Sequence, residues 1–317
     1  MWRLTLPLWR GPCGAAVACA RSRRLTVAAL FSAPSGSPGG GCEWLAQSAP
    51  VHWAEDGLVA LQAAAGLPWW AAIVCGAALL RTAVTLPLAA HQGRLLAKLE
   101  NLQPEIKKLA EHLRYEISVR GRQLGWSEKV ARFHFKKNLR RIITELYIRD
   151  NCHPFKATLL VWVQIPMWVC VSLALRNCSV GTMDSEVQEQ FSAGGALWFR
   201  DLTAPDSTWI LPVALGLVNL MIVEIFALQK LEVSRLQKLA TNFFRVVSIV
   251  MIPVAATVPS SMALYWFSSS FVGLSHNLLL RSPTFRRLCF IPRTKYDSET
   301  PYRDIVSAFT TKYYFKK

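Results

Sequence analysis

The chain has 317 residues, 52% of them hydrophobic and only 18% charged, where an ordinary soluble domain carries about 25% charged residues, and this argues against a soluble globular protein. Thirty-six lysines and arginines against 20 acidic residues give a net charge of +16. In so apolar a chain that excess points to an anionic membrane surface rather than to nucleic acid. The eight cysteines (Cys13, Cys19, Cys42, Cys75, Cys152, Cys170, Cys178 and Cys289) include no C-x-x-C pair, so neither a zinc module nor a disulfide framework is expected.

Residues 1–42 contain Arg3, Arg10, Arg21, Arg23 and Arg24 and no acidic residue before Glu43, the composition of a mitochondrial presequence. Ser22-Arg23-Arg24-Leu25-Thr26 also fits a twin-arginine signal. The apolar run after it, Val27 to Phe31, has five residues, however, and a secretory core needs at least about seven. Pro34 to Gly41 reads as a flexible linker closing this part of the chain, and 43–66 as an amphipathic segment outside the first span.

From Leu67 to Ala90 the only charge in 24 residues is Arg81, enough helix to cross a hydrocarbon core of about 30 Å. Residues 157–175 and 209–229 give the second and third spans, the latter interrupted only by Asn219 and Glu224. A charge-free run of 35 residues, Val246 to Leu280, is too long for one crossing. The breaker cluster Thr257-Val258-Pro259-Ser260-Ser261 divides this region into spans at 239–258 and 262–280. Arg245 falls in the first turns of the fourth span, where it is expected to snorkel to the interface.

Loop charges set the orientation. Segment 91–154 has 14 basic and 7 acidic residues, 230–242 has 3 and 1, and 281–317 has 9 and 3. On the opposite side, 178–208 has one basic residue against five acidic ones, and 43–66 has three acidic residues and no lysine or arginine. The positive-inside rule then places the basic segments in the mitochondrial matrix and the N-terminal end of the core in the intermembrane space. Trp69, Trp70 and Trp209 fall at outer span ends, where interfacial anchors are expected.

Within the large basic loop, Leu95, Leu99, Leu102, Ile106, Leu109, Leu113 and Ile117 recur at three- and four-residue spacing. Phe135, Leu139, Ile142 and Leu146 do the same after Gly121 to Gly125. Two apolar seams about a glycine-bounded turn predict an antiparallel helical hairpin over 94–149 on the matrix side, with 282–317 as a short basic matrix tail. The fold class expected is an all-α membrane protein, a bundle of five transmembrane helices carrying this hairpin.

Arg81 lies nine residues before Ala90, about 13 Å from the inner end of its helix, too deep to snorkel with ease. A charge there costs at least about 2.5–3.5 kcal/mol and as a rule faces a wet cavity or a partner. Thr82 and Thr85 lie beside it in sequence and Gln164 near the middle of span two, so the four together suggest a hydrophilic groove. The competing reading is an ion pair with Glu224, which sits at a different depth. Gly273-Leu274-Ser275-His276 has the look of an intramembrane serine protease motif, but no second histidine is placed to serve it. Neither a nucleotide-binding loop nor an acidic metal cluster is present, so no enzymatic activity and no cofactor are expected.

In this setting the run Trp70 to Leu88, with Arg81 six residues before Pro87-Leu88, resembles the first core helix of the YidC/Oxa family of membrane protein insertases. Asn101-Leu102-Gln103-Pro104 is similar to the opening of that family's hairpin, and Asn151-Cys152-His153-Pro154-Phe155 with Gln164-Ile165-Pro166-Met167 to its second core helix. Leu197 to Leu202, Trp209 to Pro212 and Val258 to Trp266 continue the match in order, over about residues 68–281. Within the family the chain is most similar to mitochondrial members devoted to cytochrome c oxidase assembly.

The resemblance implies a groove open to the matrix and to lipid but closed on the far side, with Arg81 at the groove arginine. It implies cytochrome c oxidase subunit 2 and its assembly factors as partners, membrane lipid as surroundings, and export of that subunit's acidic C-terminal region. Spans two and five, through Gln164, Met167, Met262 and Tyr265, are expected to form the wall along which a client helix slides into lipid. A 37-residue tail from 281 to 317 is shorter than that of ribosome-binding members, so stable ribosome docking is not expected. The alternative is a non-translocating scaffold for assembly intermediates.

Overall fold

The computed structural model describes residues 43–181, 185–228, 235–295 and 297–313. The expected presequence and linker, 1–42, lie outside the described residues, as does most of the basic connection before span four. The described chain is helical apart from turns and two isolated bridges, Ala196 with Phe199 and Pro205 with Pro259.

Helices α1 (Ala49–Ala65) and α2 (Trp69–Leu80) are followed by a π-helical turn, Arg81–Thr85, and then by α3 (Leu86–Gln123) and α4 (Glu128–Arg149). Next come α5 (Leu159–Val180), α6 (Ser185–Ala193), α7 (Ile210–Leu228), α8 (Arg235–Ala256), α9 (Ser260–Leu279) and α10 (Pro301–Tyr313). Four helical stretches among the described residues are long and apolar enough to cross a membrane: Trp69–Gln123, Pro154–Val180, Ile210–Leu228 and Lys238–Ala256.

The fifth expected span corresponds to α9, which has the length, 20 residues, but is not among these four. The reason is its position. It packs against α2, α5 and α7 and buries Ser260, Ser261, Ser268 and Ser269 together with Met262, Tyr265 and Trp266. A helix walled in by protein needs small and hydroxyl-bearing contact residues, not lipid-like ones. Its neighbours α7 and α8 meet closely where Gly216 leaves room, since a Cβ there would collide with the Ile252 side chain.

Sequence periodicity places span one and the start of the hairpin as separate elements. They are one uninterrupted helical stretch of 55 residues, Trp69–Gln123, with Pro104 inside it. Helix α4 returns along α3 in the opposite direction: Arg149 pairs with Glu105 at 2.9 Å and the Arg114 guanidinium sits over the Phe135 ring. Leu95, Leu102, Leu146 and Cys152 form a buried cluster of their own between them. The Arg149 hydrogen bonds hold the carboxyls of Glu105 and Asp150 below the usual carboxylate range, but these charges are exposed and add little stability. The apolar seam is what joins the two helices.

At the other end α1 is part of the main core, with Val51 and Leu58 buried among residues of α2, α5 and α9. Its fully buried Glu55 accepts a hydrogen bond from Asn177 Nδ2 at 2.7 Å and meets His52 Nδ1 at 2.8 Å, which satisfies the carboxylate. Trp69, expected at a lipid interface, is instead buried against Phe191 of α6 and donates its indole N–H to Gln190 Oε1 at 3.0 Å. Trp70 and Trp209 remain exposed. Asp206, also buried, caps the start of α7: its carboxylate accepts from the Thr208 N–H and hydroxyl and from the Leu211 N–H. Burial pushes this carboxyl up, yet those bonds outweigh burial and hold it below its usual range.

Candidate functional site

Arg81 opens the π turn between α2 and α3. Its carbonyl accepts the Leu86 N–H, five residues on, and also the Thr85 hydroxyl at 2.6 Å. A threonine hydroxyl that bonds back four residues competes with the α-helical ladder, and single π turns of this kind recur at functional positions. Thr85 is therefore buried and committed to the backbone, while Thr82 is exposed.

The Arg81 side chain crosses to α9. Its Nε–H donates to Ser269 Oγ at 2.8 Å, and its guanidinium lies over Gly273, where a Cβ would stand 3.1 Å from Nη1 and 3.6 Å from Cζ. One further turn on, His276 Nε2 lies 3.3 Å from Thr82 Oγ1. Ser269, Gly273 and His276 follow one another at spacings of four and three, which puts them on one face of α9. Thus a polar stripe of α9 receives the π turn. The same contacts dispose of a serine protease site, because His276 faces Thr82 and the Ser275 hydroxyl donates to the Phe271 carbonyl of its own helix at 3.0 Å.

Among the described residues Arg81 forms no ion pair. The intramembrane carboxylate proposed as its rival partner, Glu224 of α7, is engaged elsewhere: Arg245 Nε of α8 at 2.6 Å and Lys312 Nζ of α10 at 2.8 Å. Arg245, expected to reach for the interface, is held by this carboxylate and by Asn242 Oδ1 at 2.9 Å. The tail that brings Lys312 there is not an extended strand of basic residues. It folds back over the bundle through Tyr302, whose hydroxyl donates to the Leu278 carbonyl, and through Arg293, whose carbonyl accepts from Asn101 Nδ2.

The C-terminal half of α5 is stitched to the N-terminal half of α9. Ser179 Oγ meets Ser261 Oγ at 2.8 Å, Trp266 Nε1 donates to Ser172 Oγ at 2.9 Å, and Trp168 stacks at a tilt on Trp266. On α5 the buried residues run from Val171 to Ser179, whereas Trp162 and Ile165 in its other half are exposed. Gln164 and Met167, the remaining wall positions on this helix, are half-buried and share no hydrogen bond with Arg81, Thr82 or Thr85. Met262 and Tyr265 lie in the buried core, at 0% and 3% exposure. In this conformation they pack the tight half of the bundle rather than offering a surface.

Ser269 was not among the candidates read from the sequence, and Gly273 and His276 entered there only as part of the protease-like motif. Their four-and-three spacing, which puts a hydroxyl, a glycine and an imidazole on one face of a single helix, was the available signal. No group of three His, Cys, Asp or Glu side chains among the described residues is arranged to hold a metal ion.

Against known proteins, the chain matches the family described as 60Kd inner membrane protein over residues 60–286. It is 59% identical to the cytochrome c oxidase assembly protein COX18, mitochondrial, of Mus musculus, in an alignment that covers all of this chain and 97% of that protein. It is 57% identical to the Homo sapiens protein of the same name, over all of this chain and 95% of that one. A more distant relative, the mitochondrial inner membrane protein OXA1 of Arabidopsis thaliana, is 30% identical over 72% of this chain and 48% of its own length.

Proposed function

The chain belongs to the YidC/Oxa family, that of the 60Kd inner membrane protein, and from this premise we propose that it is a membrane protein insertase of the mitochondrial inner membrane, acting in cytochrome c oxidase assembly. In this reading α2, α5, α7, α8 and α9 form a five-span bundle. The α3–α4 hairpin and the tail face the matrix, and α1 and α6 face the intermembrane space. The client is cytochrome c oxidase subunit 2, whose acidic C-terminal region passes through a hydrophilic groove lined by Arg81, Thr82 and Gln164.

The observation that carries the reading is an arginine within an apolar span whose nearest anchoring groups are neutral, while the one carboxylate at hand in the described spans is paired with other cations. At about 4 Å and an effective dielectric near 20, a passing carboxylate and Arg81 attract by about 4 kcal/mol. That is close to the cost of placing one charge in the bilayer, so a carboxylate gains enough to enter and too little to stay. A membrane potential positive outside assists it by about 2.3 kcal/mol per charge per 100 mV. Bonding between the outer halves of α5 and α9, against sparse contact in their inner halves, favours a cleft closed outward and open inward. The slide wall is then Met167 with Gln164, and Met262 and Tyr265 support it from behind.

Export of the acidic region, read by protease access in mitochondria or proteoliposomes, tests this. Arg81→Gln should lower export of the acidic client by at least tenfold while the protein still folds and binds it. Unchanged export would leave the scaffold reading in its place.

A further inference from the structure

We propose that Ser269 is a positioning residue for Arg81 and fixes which edge of the guanidinium a client carboxylate meets. The inference rests on the insertase reading above. A guanidinium offers two forks for bidentate contact, a side fork that includes Nε and an end fork made of Nη1 and Nη2. Ser269 Oγ takes the Nε–H at 2.8 Å and so occupies the side fork. Gly273, one turn on, admits the flat group against α9, with Nη1, Cζ and Nη2 at 3.1, 3.6 and 3.9 Å from where a Cβ would be. Neither Nη nitrogen has a hydrogen-bond partner among the described residues, so the end fork alone is available. Beside this pair Thr82 of the same π turn meets His276, one turn on in α9, which limits how far the π turn can move away from α9.

The consequence is a selective but brief grip. A carboxylate bound at the end fork is recognised by direction as well as by charge, while the hydroxyl prevents the side-on chelate that would retain it. Removing the hydroxyl frees Nε and lets a carboxylate settle on either fork. No proton or covalent bond changes hands in this step.

The full-length protein in proteoliposomes decides the matter, with two clients that differ only in whether the exported segment carries Asp and Glu or Asn and Gln. Export rate and the lifetime of a crosslink between client and groove are both read. With Ser269→Ala the crosslink to the acidic client should last about tenfold longer, the weight of one hydrogen bond to a charged group, and its export should slow, while the amide client is unaffected. Ser269→Thr should behave as the unaltered protein. Gly273→Ala, which crowds Nη1, should lower export of the acidic client only. If Ser269→Ala accumulates poorly, Ser269→Cys retains the volume with a weak acceptor and should follow the alanine pattern. Equal effects on both clients, or none on either, overturn the positioning role. If Arg81→Gln leaves acidic export intact, the groove reading itself fails; if Arg81→Gln abolishes export and Ser269→Ala changes nothing, only the role of Ser269 is lost.

Discussion

Arg81, at the π turn after α2, and Arg245 in α8 are both arginines set in apolar helical runs, and the molecule treats them in opposite ways. Arg245 lies against Glu224, which Lys312 also reaches, so three charges close on one another toward the C-terminal end of α7. Arg81 rests on a hydroxyl and a glycine. The first arrangement joins helices and brings the tail onto the bundle. The second holds a cation in a defined direction without neutralising it. A buried charge is stabilised by a partner of opposite sign or is kept beside water or a ligand that supplies one, and the two arginines differ in whether the fold itself provides the opposite charge.

The contrast is broken most completely by giving Arg81 what Arg245 already has. Ser269→Asp places a permanent carboxylate beside its Nε, and export of the acidic client should fall to background while the protein stays folded, as protease-protected export and thermal stability together would reveal. A smaller effect is expected from the opposite change. Glu224→Gln leaves Arg245 and Lys312 without their shared carboxylate and should destabilise the protein by about 1–3 kcal/mol, measured by denaturation in detergent, with the preference for acidic over amide clients unchanged. Altered selectivity in that variant would mean that the two sites are coupled.

The smallest effect concerns the N-terminal cap of α7. Asp206 is held below its usual range by its hydrogen bonds to Thr208 and Leu211, so its contribution is present above the unfolded carboxyl value and is lost as pH falls through the lower, folded one. Asp206→Ala should therefore cost about 1 kcal/mol at neutral pH, and the variant and the unaltered protein should converge in unfolding measurements at strongly acid pH. A difference that persists there would assign the effect to packing rather than to the charged cap.

Arg81 was legible in the sequence because a charge deep in a 24-residue apolar run has few explanations. Helix spacing likewise separated Glu224 from it in depth. What sequence could not convey was the surface that receives the arginine, since Ser269 lies 188 residues away and small residues look alike whether they admit a neighbouring backbone or a guanidinium. The π turn had a local cause, Thr85 four residues after Arg81, but a hydroxyl's choice of partner depends on what surrounds it. Trp69 was read as an interface residue because an aromatic at a helix end looks the same whether lipid or a short helix such as α6 covers it. Hydropathy delimited α9 but not its setting, since its N-terminal half is buried against other helices of the protein.

The run from Trp69 to Gln123 has no break between bilayer and hairpin. About 57 Å of it, the 38 residues of α3, extends beyond the π turn, and about 18 Å, the 12 residues of α2, precedes it. The stretch therefore joins the hairpin to the turn that carries Arg81 by continuous helix, with no loop between them.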